Sequence, residues 1–350
     1  MNIIITKPQC YTAKGQKPNQ EDSLFPQEGE ASKDTRVFLV CDGMGGHENG
    51  EVASACVAET IGKMTASMPV CSAAEMQCCF EKALQQAYAN LDELDHSDSY
   101  KKMGTTLTFL ALCTDGVLVA HIGDSRVYQM RPGKGIIFQT RDHSLVNDLI
   151  ASGEITEEEA KNHPQRNVIT RAIMPHQEYP SKATYKILHD IKEGDLFFLC
   201  CDGVVEQLDN KELCSYLLNT KPLEERINSI RKACEERSTR DNNTAYLIEV
   251  KKVEMSEQDR SRIKQIEAKA KSDEVKLEIV DDDTITKQLP TKQEGRKNSR
   301  LLIILLSIVI ILILAFIFLF SPHEGKQKQD IKPNEPKSEH VQGTIQRHKQ

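Results

Sequence analysis

The sequence predicts an α+β fold built on antiparallel sheets. Short apolar runs bounded by turn residues recur along residues 1–252. They cluster, with helical stretches between the clusters, and so lack the regular strand–helix alternation of a parallel sheet. Two runs, TLTFLALC (106–113) and GVLVAHIG (116–123), are joined by the tight turn at Thr114, Asp115 and Gly116, which signals a hairpin.

Taken in order, RVFLVC (36–41) is an apolar run that reads as a buried strand. Helical patterns follow at 50–66 and 73–94, then the hairpin. RVYQMR (126–131) and GIIFQT (135–140) read as further strands, with helices at 142–152 and 156–162. DLFFLCC (195–201) is a second uninterrupted apolar strand. Helices at 209–218 and 221–236 and the strand TAYLIEV (244–250) complete the domain expected over 1–252.

Beyond it the composition changes. Residues 253–300 are rich in Lys, Glu, Asp and Gln and read as a charged tether, with a solvated helix at 254–271. LLIILLSIVIILILAFIFLF (301–320) carries no charge. As a helix, twenty residues extend about 30 Å, the thickness of a hydrocarbon core, so a transmembrane helix is expected there. Residues 321–350 read as a disordered tail. Lys287, Lys292, Arg296, Lys297 and Arg300 precede the span, against Lys326, Lys328 and Lys332 after it. That bias places the N-terminal side, and the domain, in the cytoplasm.

The net charge of −7 gives no reason to expect nucleic-acid binding. The 11 Cys form no C-x-x-C pair, which speaks against a zinc ribbon. Cys41, Cys113, Cys200 and Cys201 sit inside apolar runs, as small hydrophobes do. MNIIITKPQC has no basic start and only a short apolar run, so no signal peptide is expected. Together these features favour a reducing compartment.

Both uninterrupted strands end in Cys-Asp-Gly, at Asp42 and Asp202. Asp124 closes VLVAHIG in nearly the same way, Asp241 precedes the last strand, and Glu21 and Asp22 precede the first. If those strand ends meet, several carboxylates converge. Unpaired carboxylates repel and are costly to bury, and a hard divalent cation with oxygen ligands resolves both problems. A single Asp-Gly is more often only a turn; three strand-end Asp residues in one chain make that reading weaker.

DGMGGHENGEVAS (42–54), MGTTLTFLAL (103–112), HIGDSRVYQMR (121–131), TRDHSLV (140–146) with HPQRNVITRAI (163–173), GDLFFLCCDGVVEQL (194–208) and DNNTAYLIEV (241–250) occur in the order found in the PPM/PP2C family of metal-dependent Ser/Thr protein phosphatases, bacterial type. The resemblance covers about 240 residues and excludes 253–350. It implies a sandwich of two antiparallel sheets with helix pairs on both outer faces, and a binuclear Mn²⁺ or Mg²⁺ centre at one end. By matching motif, Asp42 would bridge both metals and the Gly43 carbonyl would bind one. Asp202 and Asp241 would hold the first metal, and Glu21 and Asp22 the second, directly or through water. Asp124 with Asp202 matches a third-metal site. The implied chemistry is in-line attack on phosphorus by hydroxide that two cations generate near neutral pH, with no phospho-enzyme. The implied partners are phosphoprotein substrates and a Ser/Thr kinase counterpart.

The chain departs from the family in places. Lys17 stands where members carry a phosphate-gripping Arg, and Lys cannot form a bidentate fork. Met44 replaces the His found in eukaryotic members, and His47 reads as a turn residue. Residues 141–180 resemble the flap, a specificity element opened by Asp142 and His143; its polar HPQRN (163–167) could touch substrate, though a lone His there is more often structural. Glu51 and Ser54 are expected to pack or to cap the following helix. A non-catalytic scaffold would have lost metal ligands, yet every core acidic position is filled.

Overall fold

The computed structural model describes residues 1–45, 49–95, 103–257, 259 and 261. Its strands are β1 (Asn2–Ile5), β2 (Gln9–Ala13), β3 (Ser23–Phe25), β4 (Val37–Cys41), β5 (Gly43–Met44), β6 (Gly104–Thr105), β7 (Leu107–Cys113), β8 (Gly116–Ile122), β9 (Arg126–Arg131), β10 (Gly135–Gln139), β11 (Thr184–Leu188), β12 (Leu196–Cys200) and β13 (Asn243–Glu254). Its helices are α1 (Gly50–Ala66), α2 (Ala73–Leu94), α3 (Leu145–Ala151), α4 (Glu157–Lys161), α5 (Asp202–Val205), α6 (Asn210–Leu217) and α7 (Leu223–Glu236).

The strands form two antiparallel sheets. One has the order β1-β13-β12-β9-β10, with β2 also paired to β13; the other has the order β11-β8-β7-β4-β3. A small β5–β6 ladder lies beside them. The apolar strands have no polar face because each sheet is covered on both sides. In β4, Phe38 and Val40 join the core shared with β12 and β13, while Val37, Leu39 and Cys41 pack with α1 and α2. Phe38 meets Tyr246 of the opposite sheet edge-on at 5.3 Å, and Phe80 of α2 meets Phe109 of β7 at 4.7 Å. On the other outer face, Leu213 and Leu217 of α6 and Ile227 and Ile230 of α7 are buried against the first sheet. This is the expected α+β sandwich with a helix pair on each face.

Several boundaries differ from expectation. Strands β1, β2, β3 and β11 escape the apolar-run criterion. In β2 only Tyr11 is fully buried, so QCYTA reads as polar. The helix expected from 142 starts at Leu145. His143 is held extended by donating its N–H to the Gly123 carbonyl at 2.9 Å, and Ser144 bridges Ile169. The last strand runs to Glu254 because its second half pairs with β1. Helix α1 follows Asn49, whose side chain makes no capping bond; Ser54 instead donates to the Glu21 carbonyl. Among the described residues no helix is long and apolar enough to cross a membrane. The expected span at 301–320, the tail, nearly all of the tether and His47 lie outside the described residues.

One buried ion pair fixes the centre of the first sheet. Asp195 is fully buried and accepts from Arg131 Nε and Nη2, both at 2.7 Å, from Gln129 at 2.9 Å and from the Lys192 N–H at 2.9 Å. Removing one partner strands a charge in the interior. Arg131→Met is therefore expected to cost about 3–5 kcal/mol in urea unfolding. A loss below about 1 kcal/mol would show that water reaches Asp195.

Candidate functional site

Five segments deliver carboxylates to one end of the sandwich. Asp42 leaves β4 and Asp202 leaves β12, from opposite sheets. Asp124 lies between β8 and β9, Asp241 just before β13, and Glu21 and Asp22 just before β3. Asp42 is fixed through its backbone. Its N–H donates to Thr106 Oγ1 at 3.1 Å, and its carbonyl accepts from the Thr106 N–H and Thr105 Oγ1, both at 2.9 Å.

The two Cys-Asp-Gly glycines serve close backbone approach. A Cβ on Gly43 would stand 2.3 Å from the carbonyl oxygens of Glu21 and Gly50, and one on Gly203 would stand 2.0 Å from the Asn242 carbonyl oxygen. Neither position accepts a side chain. Through these glycines the Glu21–Asp22 segment lies on the end of β4, where the Gly43 N–H reaches the Glu21 carbonyl at 3.1 Å. The Asp241–Asn242 segment lies on the end of β12 in the same way.

Sequence reasoning passed over Asn242. Its side chain donates to the carbonyls of Lys14 and Asn19, both at 2.9 Å, and accepts from the Glu21 N–H at 2.7 Å. It thereby pins the loop that carries Lys17, Glu21 and Asp22; its place beside Asp241 in DNN was the available signal. Lys17 Nζ lies 2.8 Å from Asp241 Oδ1 and 3.7 Å from Glu21 Oε2. Burial works against its charge, but the hydrogen bond to Asp241 and the fields of Asp241, Glu21 and Asp42 outweigh it and raise its pKa.

The eight predicted residues therefore meet at one end of the sandwich, and the carboxylates are short of positive charge. Burial, and then their mutual repulsion, push Asp22 and Asp124 each up to about 7. The same causes push Asp42 well above its usual range and raise Asp202. Of the two, burial and the fields of Asp202, Asp22 and Asp124 favour the protonated form most strongly at Asp42. Arg126 offsets only part of this at Asp124, because it is engaged by Asp142 through two contacts of 2.7 Å. Asp22 Oδ1 and Asp202 Oδ1 are buried with no partner among the described residues. An oxygen-rich, charge-deficient pocket with orphaned carboxylate oxygens fits hard divalent cations.

Cys201 Sγ lies within ligand range of Asp22 and Asp42. Burial keeps it a thiol, and it donates to Asp22 Oδ2 at 3.3 Å while accepting from the Thr244 N–H at 3.1 Å. It orients Asp22 and does not compete with it for a hard cation. In the flap, Asp142 and His143 are structural: His143 Nδ1 accepts from the Gly123 N–H at 3.1 Å, and Nε2 lies 2.8 Å from Thr184 Oγ1. Of HPQRN, Asn167 reaches Glu206 at 3.4 Å.

A family model described as protein phosphatase 2C matches residues 12–242. Protein phosphatase PhpP of Streptococcus pneumoniae is 31% identical over 238 residues, 68% of this chain and 94% of that protein. The S. agalactiae serine/threonine phosphatase structure has a TM-score of 0.62 at 30% identity, across 70% of this chain and 99% of that one. The catalytic domain of the phosphatase PstP, solved in complex with two manganese ions, has a TM-score of 0.57 at 26% identity, across 71% and 99%.

The raised carboxyls bind protons more tightly folded than unfolded. Without metal their stabilising effect is present at low pH and is lost as pH rises from about 4 through about 7. His143 works the other way: burial first, then His121 and Arg171, push it down to about 4. The carboxyls outnumber it. In EDTA, the unfolding free energy is expected to fall between about pH 5 and pH 8. Asp42→Asn is expected to regain at least ~1.4 kcal/mol at the upper end, one pKa unit's worth. Urea titrations at the two pH values check both.

Proposed function

The chain belongs to the protein phosphatase 2C family and is a serine/threonine protein phosphatase, and we propose that it hydrolyses phosphoserine and phosphothreonine on cytoplasmic proteins from a membrane anchor, using divalent cations held by the strand-end carboxylates. The observation that carries this reading is the convergence of Glu21, Asp22, Asp42, Asp124, Asp202 and Asp241 with two buried carboxylate oxygens unpartnered. Asp42, reached from both sheets, would contact two cations, with the Gly43 carbonyl on one of them. Asp202 and Asp241 would complete one site, Glu21 and Asp22 the other. Asp124 with Asp202 would serve a third.

Bound there, Mn²⁺ or Mg²⁺ supplies Lewis acidity, which makes water a competent nucleophile near neutral pH and offsets phosphoryl charge. The chain's own part is to orient and to exclude. Cys201 and Thr106 hold Asp22 and Asp42 in place. Lys17, half-exposed at the rim, is placed to meet the phosphate as a point charge. No cysteine is available as nucleophile at the site, since burial pushes the Cys41 and Cys201 thiols far up. That supports water, and not a cysteine thiol, as the nucleophile in this reading.

The uncharged run 301–320, with more Lys and Arg before it than after it, supports a single-pass anchor with the catalytic domain on the cytoplasmic side. Such tethering favours substrates phosphorylated near the membrane, and with them a Ser/Thr kinase acting there.

With a phosphothreonine peptide, turnover is expected to require Mn²⁺ or Mg²⁺ and to stop in EDTA. Asp42→Asn and Asp202→Asn should each lower kcat by roughly a thousandfold. Lys17→Ala is expected to raise KM about tenfold, with Lys17→Arg restoring it, because the phosphate grip is removed and then returned. Turnover that survives EDTA would sink the proposal.

A further inference from the structure

A cavity of about 370 Å³ opens where strands β10 and β11, the edges of the two sheets, approach each other beside α3. None of the clustered carboxylates lines it. Val119, Phe138, Ala151 and Tyr185 give it an apolar lining, and Arg141, Arg171 and Lys186 bring three positive charges.

Among the described residues none of the three forms an ion pair. Arg141 donates to the Asn147 carbonyl at 2.8 Å. Arg171 Nη1 has only long contacts, 3.4 Å to His143 Nε2 and 3.5 Å to Thr184 Oγ1. Of the two lining carboxylates, Asp142 is taken up by Arg126, which leaves Asp148 alone against three cations. Cations so placed beside apolar surface suit a ligand with both characters. The stacked rings of His121 and His143, 4.5 Å apart at 8°, stiffen this part of the wall.

We propose that this cavity binds a small organic anion, a compact aromatic or aliphatic body bearing a sulfonate, carboxylate or phosphate that Arg171 and Lys186 receive. His143 connects the cavity to the carboxylate cluster. Its ring accepts from the Gly123 N–H and its own N–H donates to the Gly123 carbonyl, one residue before Asp124. An occupant touching His143 therefore bears on the segment that positions Asp124. The proposal does not rest on the phosphatase reading.

The test uses the full chain in nanodiscs with EDTA, with empty discs subtracted. The probe is 4-(trifluoromethyl)benzenesulfonate, followed by ¹⁹F relaxation, beside the neutral 4-(trifluoromethyl)benzenesulfonamide. Saturable binding of the sulfonate is expected, at least about tenfold tighter than the amide. The exposed pair Arg171→Glu and Lys186→Glu should weaken it by about the same factor, and Ala151→Trp, which fills the cavity, should abolish it. Lys17→Ala should leave it unchanged, which separates this cavity from the carboxylate cluster. Absent sulfonate binding, equal binding of the amide, or binding unaffected by charge reversal or by cavity filling would each overturn the proposal.

Discussion

The constraint on which the rest depends is charge. Among the described residues, six acidic side chains from five segments share one end of the sandwich, and Lys17 is the ammonium that pairs with two of them. Without cations, burial and mutual repulsion favour protonation: Asp42 is pushed well above its usual range, and Asp22 and Asp124 up to about 7. Such a site costs stability in the folded chain and is worth keeping only for what it holds. Bound divalent cations would turn the same repulsion into affinity.

The scaffold around the cluster is arranged to maintain that crowding. Each sheet ends a central strand in Asp-Gly, and each glycine admits a backbone carbonyl from another acidic segment to a distance no side chain permits. Asn242 ties the loop of Lys17 to the Glu21 N–H, and Ser54 holds the Glu21 carbonyl from α1. The β8–β9 connection brings Asp124 from one sheet to the other. The cluster thus spans both sheets, and its geometry is only as rigid as the packing between them, for which Phe38 against Tyr246 is one direct contact.

Much of this was legible in the sequence, for identifiable reasons. Strands β4, β7, β8 and β12 are buried on both faces, so they appear as unbroken apolar runs, and the acids at their ends stand out. The ordered motifs then pointed to the family. What stayed hidden lacks such a signature. β2 buries one tyrosine and β3 is three residues long, so neither shows a period. The roles of Asn242, Cys201 and the stacked His121–His143 pair arise from contacts between distant segments. Asp142 and His143 look like flap residues in sequence, yet Arg126 and Gly123 engage them structurally.

The central claim is that the strand-end carboxylates exist to hold divalent cations. Isothermal titration of the metal-free full chain with MnCl₂ near pH 7.5, with proton release followed in buffers of different ionisation enthalpy, tests it most directly. The account predicts at least two ions bound per chain with net release of protons, because carboxyls that are protonated without metal must give them up. Binding without proton release, or no binding to a folded chain, would contradict it.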